Sequence, residues 1–332
     1  MKVAVVGAGG IGSLHARLLA ELGHEVLVVD IDAGRAAGVA SRIGARAVAF
    51  ETAVDEADAV VVATPADLHA EPVRRALAAG RSVLCEKPLA EDLRESVALA
   101  ELGGHLEVGF QRRHDPSFVA AREAAAGSRI HLVRLAAFDP AGDHREPSSW
   151  PMRDAAPIFL HSSVHDFDFV RWLTGQEVVS VMTDASGRDE ARPSDPRAIE
   201  TATVQMRLSR GALAVLEATW LHPGGYDIRV EVLTDREHLT TGLSTRTPAR
   251  HLDWVVTDAI DSRAAWTGYL DRFETAYRNE LVAFLAAARG EQAPATTGTD
   301  GVEALRIAIA ATRSYLERRP VAPAEIEAAA PA

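Results

Sequence analysis

Five short apolar runs, nearly uninterrupted and separated by polar or amphipathic stretches, leave little freedom in how the first 110 residues fold. They are Val3–Val6, Val26–Val29, Ala59–Ala63, Ser82–Cys85 and Leu106–Phe110, with helical patterns near Ile11 to Leu22, Pro72 to Ala79 and Leu93 to Leu102 between them. A strand that shows one face to water alternates apolar and polar residues, whereas a strand covered on both faces is apolar throughout. Continuous runs joined by helices therefore predict a doubly wound parallel sheet, an α/β Rossmann-type domain.

After Pro116 the pattern changes. A helix is expected at Ser117 to Ala126, a strand at Ile130 to Phe138, and a helix at Ile158 to Leu173 that stops at Thr174-Gly175, where glycine suits a C-terminal cap. Thr201 to Leu208 and Ala212 to Trp220, joined by Ser209-Arg210-Gly211, read as an antiparallel hairpin, and Ile228 to Leu233 extends it. Two Ala-rich helices follow, at about Tyr269 to Ala288 and Val302 to Arg318, and Pro320 to Ala332 reads as a weakly ordered tail. The expected division is a Rossmann domain at 1–116 and, at 117–332, an α+β domain with a mostly antiparallel open sheet.

Gly7-Ala8-Gly9-Gly10-Ile11-Gly12 lies between the first predicted strand and helix, in the G-x-G-x-x-G pattern of a dinucleotide site. Its glycines permit a tight turn and close approach of backbone to a pyrophosphate, which the helix N-terminus then attracts. Asp30 ends the second strand 23 residues after Gly7, near the spacing at which a carboxylate reaches ribose hydroxyls. A carboxylate there repels a 2′-phosphate, so NAD is expected rather than NADP, with Arg35 the residue able to reverse that preference.

The formal net charge of −12 disfavours nucleic acid and anionic lipid as partners, and no tract is long enough to span a bilayer. With Cys85 alone there is no intrachain disulfide and no thiolate-rich metal site, and a cytoplasmic small-molecule enzyme is expected. Among 35 basic residues only Lys2 and Lys87 are lysines. Arginine does not lose its proton, so a retained lysine draws attention to its titratable amine. Lys87 stands after a predicted parallel strand, where ligands of such sheets bind, and Pro88 restricts its backbone to an extended form.

Ala63-Thr64-Pro65, His69-Ala70-Glu71-Pro72, Glu86-Lys87-Pro88-Leu89-Ala90, Gly109-Phe110-Gln111-Arg112-Arg113, His165-Asp166-Phe167-Asp168, Gly225-Tyr226-Asp227 and Thr297-Gly298-Thr299-Asp300-Gly301 extend the picture over nearly the whole chain. Together they resemble the glucose-fructose oxidoreductase, inositol dehydrogenase and rhizopine-catabolism (Gfo/Idh/MocA) family, most of all its inositol 2-dehydrogenase branch. The resemblance implies hydride transfer between a secondary alcohol of a cyclic polyol or sugar and a nicotinamide ring, in a homodimer or homotetramer. It implies Lys87 as the hydroxyl-binding acid/base group and His165 as proton acceptor; His161, four residues before His165, is the further catalytic candidate. It further implies Gly7, Gly9, Gly10, Ile11, Gly12, Asp30, Ile31, Thr64, Pro65, His69, Glu86 and Lys87 along the cofactor, and Gln111, Arg113, Asp168 and Tyr226 at the substrate.

The chain departs from the family pattern where an aspartate usually stands four residues before the helix histidine: here it has His161, and Ala156-Pro157 replaces the usual Gly-Gly. The change bears on the substrate and on the role of His165, and Asp168, at the next turn, is the carboxylate placed to replace the missing one. His161 and His165 at i and i+4 also have metal-pair spacing, but no third ligand or H-E-x-x-H accompanies them, so no metal is expected. A keto-sugar reductase running the reaction backwards, and a catalytically impaired nucleotide-binding sensor or scaffold, are the alternative readings.

Overall fold

The computed structural model describes residues 1–141, 155–187, 195–244, 246–247 and 265–328. It contains two compact units. One comprises Met1–His114 with Thr275–Val302, the other Asp115–Glu274 with Glu303–Glu327.

In the first unit the chain runs β1 (Lys2–Val6), α1 (Gly10–Glu21), β2 (Glu25–Val29), α2 (Ala33–Ile43), β3 (Arg46–Ala47), α3 (Phe50–Glu56), β4 (Ala59–Val62), α4 (Ala70–Ala78), β5 (Ser82–Glu86), α5 (Leu93–Ala100) and β6 (Leu106–Gly109). All pairings are parallel, in the order β3-β2-β1-β4-β5-β6. Val3, Ala4, Val5, Val60, Val61 and Val83 are completely inaccessible, as expected of strands covered on both faces. The order reverses between β1 and β4, which makes the carboxyl ends of these strands the topological switch point where ligands of such sheets bind. Cys85 is buried in β5, and burial pushes its thiol well above the ordinary range, so it is a packing residue rather than a nucleophile.

The segment after residue 294 closes the β6 edge of this sheet. Thr296 Oγ1 accepts from Val108 N at 3.0 Å and donates to Val108 O at 2.8 Å, so one side chain stands in for a neighbouring strand. A Cβ on Gly298 would lie 2.9 Å from Ala100 Cα, and one on Gly301 3.0 Å from Val108 Cγ2. The Thr297–Gly301 motif is thus explained by close packing on the first unit.

The second unit contains α6 (Pro116–Ala125), β7 (Ile130–Pro140), α7 (Val164–Thr174), β8 (Val178–Gly187), β9 (Ile199–Leu208), β10 (Leu213–His222), β11 (Asp227–Thr234) and β12 (His238–Thr241). Helices α8 (Tyr269–Ala288) and α9 (Gly298–Glu317) follow, their residues to Glu274 and from Glu303 belonging to this unit. Asp115 caps α6, accepting from Ser117 N and Phe118 N ahead of Pro116. The sheet order is β12-β11-β7-β10-β9-β8, antiparallel except for the parallel β7–β10 pair. One face is buried, with Leu135, Leu216, Val204 and Val230 in register across it. On the other face Met182, Gln205, Val215, Arg134, Glu231 and Thr240 form a row across all six strands.

Two expectations need correction. Ile158–Ser163 is a π-helical turn that leads into α7, not part of one continuous α-helix, so His161 sits in a wider turn than His165. The segment after Pro320 is not uniformly loose: Val321 is fully buried and bridges Val181 through backbone bonds of 2.8 and 2.9 Å. Residues 142–154, in the Pro-, Asp- and Ser-rich stretch between the strand expected at Ile130 to Phe138 and the helix expected from Ile158, lie outside the described residues.

Candidate active site

At the carboxyl end of β1 the glycine loop has the shape its sequence demands. Gly7 adopts φ +102°, and a Cβ there would lie 2.5 Å from Ala63 O; on Gly12 a Cβ would come within 1.8 Å of Gly7 O. No other residue fits these two positions. Gly9 and Gly10 differ, because a Cβ on either would meet nothing within 4 Å. Their bare backbone lies exposed at the N-terminus of α1, where amides and helix dipole favour an anion.

Asp30 closes one side of this cradle. Its Oδ2 accepts from Ala8 N at 2.7 Å, and its Oδ1 from Asp32 N at 2.8 Å and Arg35 Nη1 at 3.4 Å. Burial alone would raise this carboxyl, but the two amides and Arg35 outweigh it and hold it below the usual range. Ile31, next along, is fully exposed and offers an apolar surface at the strand end. Across the switch point the buried Thr64 Oγ1 has no hydrogen-bond partner among the described residues. A bare amide loop, an anchored carboxylate and an unpaired buried hydroxyl make a donor and acceptor set that fits a dinucleotide.

His69 is buried with its ring nitrogens 2.9 Å from Pro88 O and 2.9 Å from Thr64 O, so it ties the β4 loop to the segment after Lys87. Burial lowers its basicity against the pull of these carbonyls. Glu86 ends β5, with Oε1 2.8 Å from His15 Nε2 and Oε2 accepting from Lys87 N at 3.3 Å. Lys87 itself is half-buried.

Gln111 and Arg113 follow β6 in a 3-10 turn and are both buried. Arg113 donates to Ala295 O at 2.9 Å and pairs with Asp300 at 3.0 Å, so its guanidinium holds the 295–300 segment. Gln111 Oε1 has no hydrogen-bond partner among the described residues.

In the second unit His165 and Asp168 are buried one turn apart on α7, and His161 is half-buried in the π turn. Neighbouring Ser162 accepts from Trp220 Nε1 at 2.7 Å and donates to Asp139 Oδ2 at 3.0 Å, which pins that turn to β7 and β10. π turns recur at functional sites because the widened ring re-aims one side chain. Tyr226 is buried edge-on to Phe273, with ring centres 6.2 Å apart.

Sequence reasoning passed over His15 and Glu280. Both are buried in the first unit, and their ligating atoms lie within 4.8 Å of each other and of those of Glu86. The signal was present in α8: Ala276, Tyr277, Glu280, Leu281 and Phe284 form one helical stripe in which Glu280 is the only ionisable carboxylate. The histidine pair His161 and His165 is not part of that group.

A glycine cradle at a Rossmann switch point, followed by an α/β unit with an open sheet, defines a two-part nicotinamide-type oxidoreductase. Residues 1–110 match the oxidoreductase family with an NAD-binding Rossmann fold, and residues 129–322 match that family's C-terminal alpha/beta domain. The chain belongs to the Gfo/Idh/MocA oxidoreductase family. It is 38% identical to myo-inositol dehydrogenase Hyg17 of Streptomyces leeuwenhoekii, over 97% of this chain and 100% of the relative. It is 31% identical to inositol 2-dehydrogenase of Rhizobium meliloti, over 97% and 98%. The crystal structure of a myo-inositol dehydrogenase from Corynebacterium glutamicum superposes with a TM-score of 0.84 at 26% identity, covering 97% of this chain and 98% of that one. Among the described residues no helix is long and apolar enough to cross a membrane.

Proposed function

We propose that this chain is an NAD-dependent dehydrogenase of a cyclic polyol of the inositol type, with sugars as the adjoining substrate class. The observation that carries the reading is end-to-end similarity to proteins named inositol dehydrogenases, with Lys87 and His165 both retained. When bound, the nicotinamide ring supplies the hydride chemistry. The chain's own residues do the rest. The Gly9 and Gly10 amides hold the pyrophosphate, Asp30 accepts from the ribose hydroxyls, and Ile31 covers an apolar ring face. Lys87 donates a hydrogen bond to the reacting oxygen and holds it in place, and His165 takes the hydroxyl proton. Asp168, one turn along, favours the imidazolium that results.

His161 replaces a carboxylate with an imidazole at the substrate end of this helix, so we assign the substrate preference to it. Homo-oligomerisation is supported by the open sheet face, where Met182 and Leu213 are 38% and 44% exposed. A cytoplasmic setting is supported by the lone buried thiol of Cys85.

The test is a panel of inositols, hexoses and uronates assayed with NAD and NADP in both directions. Turnover of an inositol with NAD supports the reading, and binding of cofactor without turnover of any member in either direction refutes it. Lys87→Met is expected to lower kcat by about a thousandfold without loss of folding, the scale of a lost acid/base group. Near-normal turnover in that variant would remove Lys87 from the mechanism.

A further inference from the structure

His15 and Glu280, which no step above uses, meet Glu86 inside the first unit. His15 comes from α1, Glu86 from the end of β5 and Glu280 from α8, and they are 0%, 6% and 2% exposed. His15 Nε2 lies 2.8 Å from Glu86 Oε1. Neither oxygen of Glu280 has a hydrogen-bond partner among the described residues, and neither has His15 Nδ1. The Tyr277 ring stands edge-on to His15 with centres 5.7 Å apart. The groups around Glu280 are therefore His15 from α1, Glu86 from the end of β5 and Glu107 from β6, with Tyr277 of its own helix against His15 and Lys87 next after Glu86 in the chain.

Two buried carboxylates this close do not both ionise without a compensating charge. A cation is one solution and a shared proton the other. The ligating atoms all lie within 4.8 Å of one another. That span suits one water hydrogen-bonded to both sides at ~2.8 Å.

We propose that His15, Glu86 and Glu280 form a proton-holding relay at the residue before Lys87, in which Glu280 keeps its proton through neutral pH and shares it with Glu86 through one bridging water. Burial raises the Glu280 carboxyl well above its ordinary range, and the charges of Glu86 and Glu107 raise it further. The end of β5 thereby presents one negative charge to the Lys87 ammonium instead of two. When Glu280 loses its proton in alkaline solution, the second charge appears and holds that ammonium to higher pH. Glu280 is a positioning residue that acts through Glu86.

The kinetic consequence rests on the dehydrogenase reading, whereas the proton itself can be seen without it. Infrared spectroscopy of the full chain at pH 7 should show the carbonyl stretch of a buried protonated carboxylic acid, absent from Glu280→Gln. With a substrate in hand, Glu280→Gln should keep turnover at pH 7 within about threefold, since a neutral amide mimics a neutral acid. The alkaline limb of its kcat/KM profile should move to lower pH. If Glu280→Gln does not fold, Glu280→Met serves the same comparison.

Absence of the acid band from the wild-type protein, or its persistence in the variant, overturns the proposal. An unmoved alkaline limb breaks the link to Lys87, and stoichiometric divalent metal lost on substitution replaces the proton with a cation. If no polyol or sugar is turned over, the dehydrogenase reading fails while the infrared result still decides the shared proton.

Discussion

The two units solve the same problem, how to finish a six-stranded sheet, in opposite ways. The parallel sheet of the first is apolar on both faces and ends in loops at a switch point, so its polar work is concentrated at the strand ends. The mixed sheet of the second is apolar on one face only, and its other face carries a row from Met182 through Arg134 to Thr240. A sheet buried twice over tolerates little change near its glycine loop. A sheet buried once has slack on its open side.

The largest expected contrast lies in the glycines. Gly12→Ala forces a Cβ to within 1.8 Å of Gly7 O, backbone against backbone, with nothing flexible to give way. We expect a loss on the order of 4 kcal/mol, at the severe end for a single substitution, measured by urea unfolding. Gly9→Ala, where the space is open, should leave stability alone and weaken NAD binding, because the added methyl occupies the room proposed for the pyrophosphate. Equal stability of the two variants would show that the loop is looser than its geometry states.

Acid should sharpen the comparison next. His114, in the first unit, is pushed down to about 4 by burial, which outweighs the attraction of Glu107. Its folded value lies below the ~6.5 of an unfolded histidine, so the stability it contributes is present above that value and is lost as pH falls toward 4. The loss attributable to His114 over that window is about 3 kcal/mol. His69, lowered by burial too, pulls in the same direction. Unfolding free energies at pH 7 and pH 4 should differ less in His114→Asn than in the wild-type protein; an identical difference would refute the assignment.

What was legible in the sequence follows from the same contrast. The strands of the first unit announce themselves as valine runs because burial on both faces leaves few polar positions, Glu86 and Glu107 among them, and the glycine fingerprint is local in sequence. The hairpin around Gly211 was legible for the same reason. The π turn at Ile158–Ser163 was not, since an extra residue in a turn depends on Ser162 reaching Trp220 and Asp139 from other strands. Nor was the Val321 bridge to Val181, a pairing across 140 residues that no local pattern encodes. Of the expected site residues, the cradle from Gly7 to Asp30 could be read from spacing. The company Glu86 keeps with His15 and Glu280 could not, although a glutamate on the apolar stripe of α8 was a visible anomaly.

Sheet edges give a smaller effect. In the first unit Thr296 satisfies both backbone groups of Val108 with one buried hydroxyl, whereas in the second the β8 edge is met by the backbone of Val321. Thr296→Val keeps the volume and removes both hydrogen bonds, for an expected cost of about 2 kcal/mol in thermal or urea unfolding. A cost near zero would mean that water replaces the hydroxyl at that edge.

The smallest effect belongs to the open side of the second unit. Gly211 turns the β9–β10 hairpin at φ +89°, with its N–H donating to Leu208 O at 2.9 Å, and a Cβ there would touch nothing within 4 Å. Gly211→Ala therefore carries only the conformational cost of a left-handed residue, about 1 kcal/mol. Because the substitution adds strain without a clash, it isolates one of the two costs that Gly7 combines, a φ of +102° and a Cβ that would lie 2.5 Å from Ala63 O; Gly12 carries the clash alone. If Gly211→Ala proves as damaging as Gly7→Ala, then backbone conformation and not the close approach of a Gly7 Cβ to Ala63 O sets the intolerance at that position of the cradle.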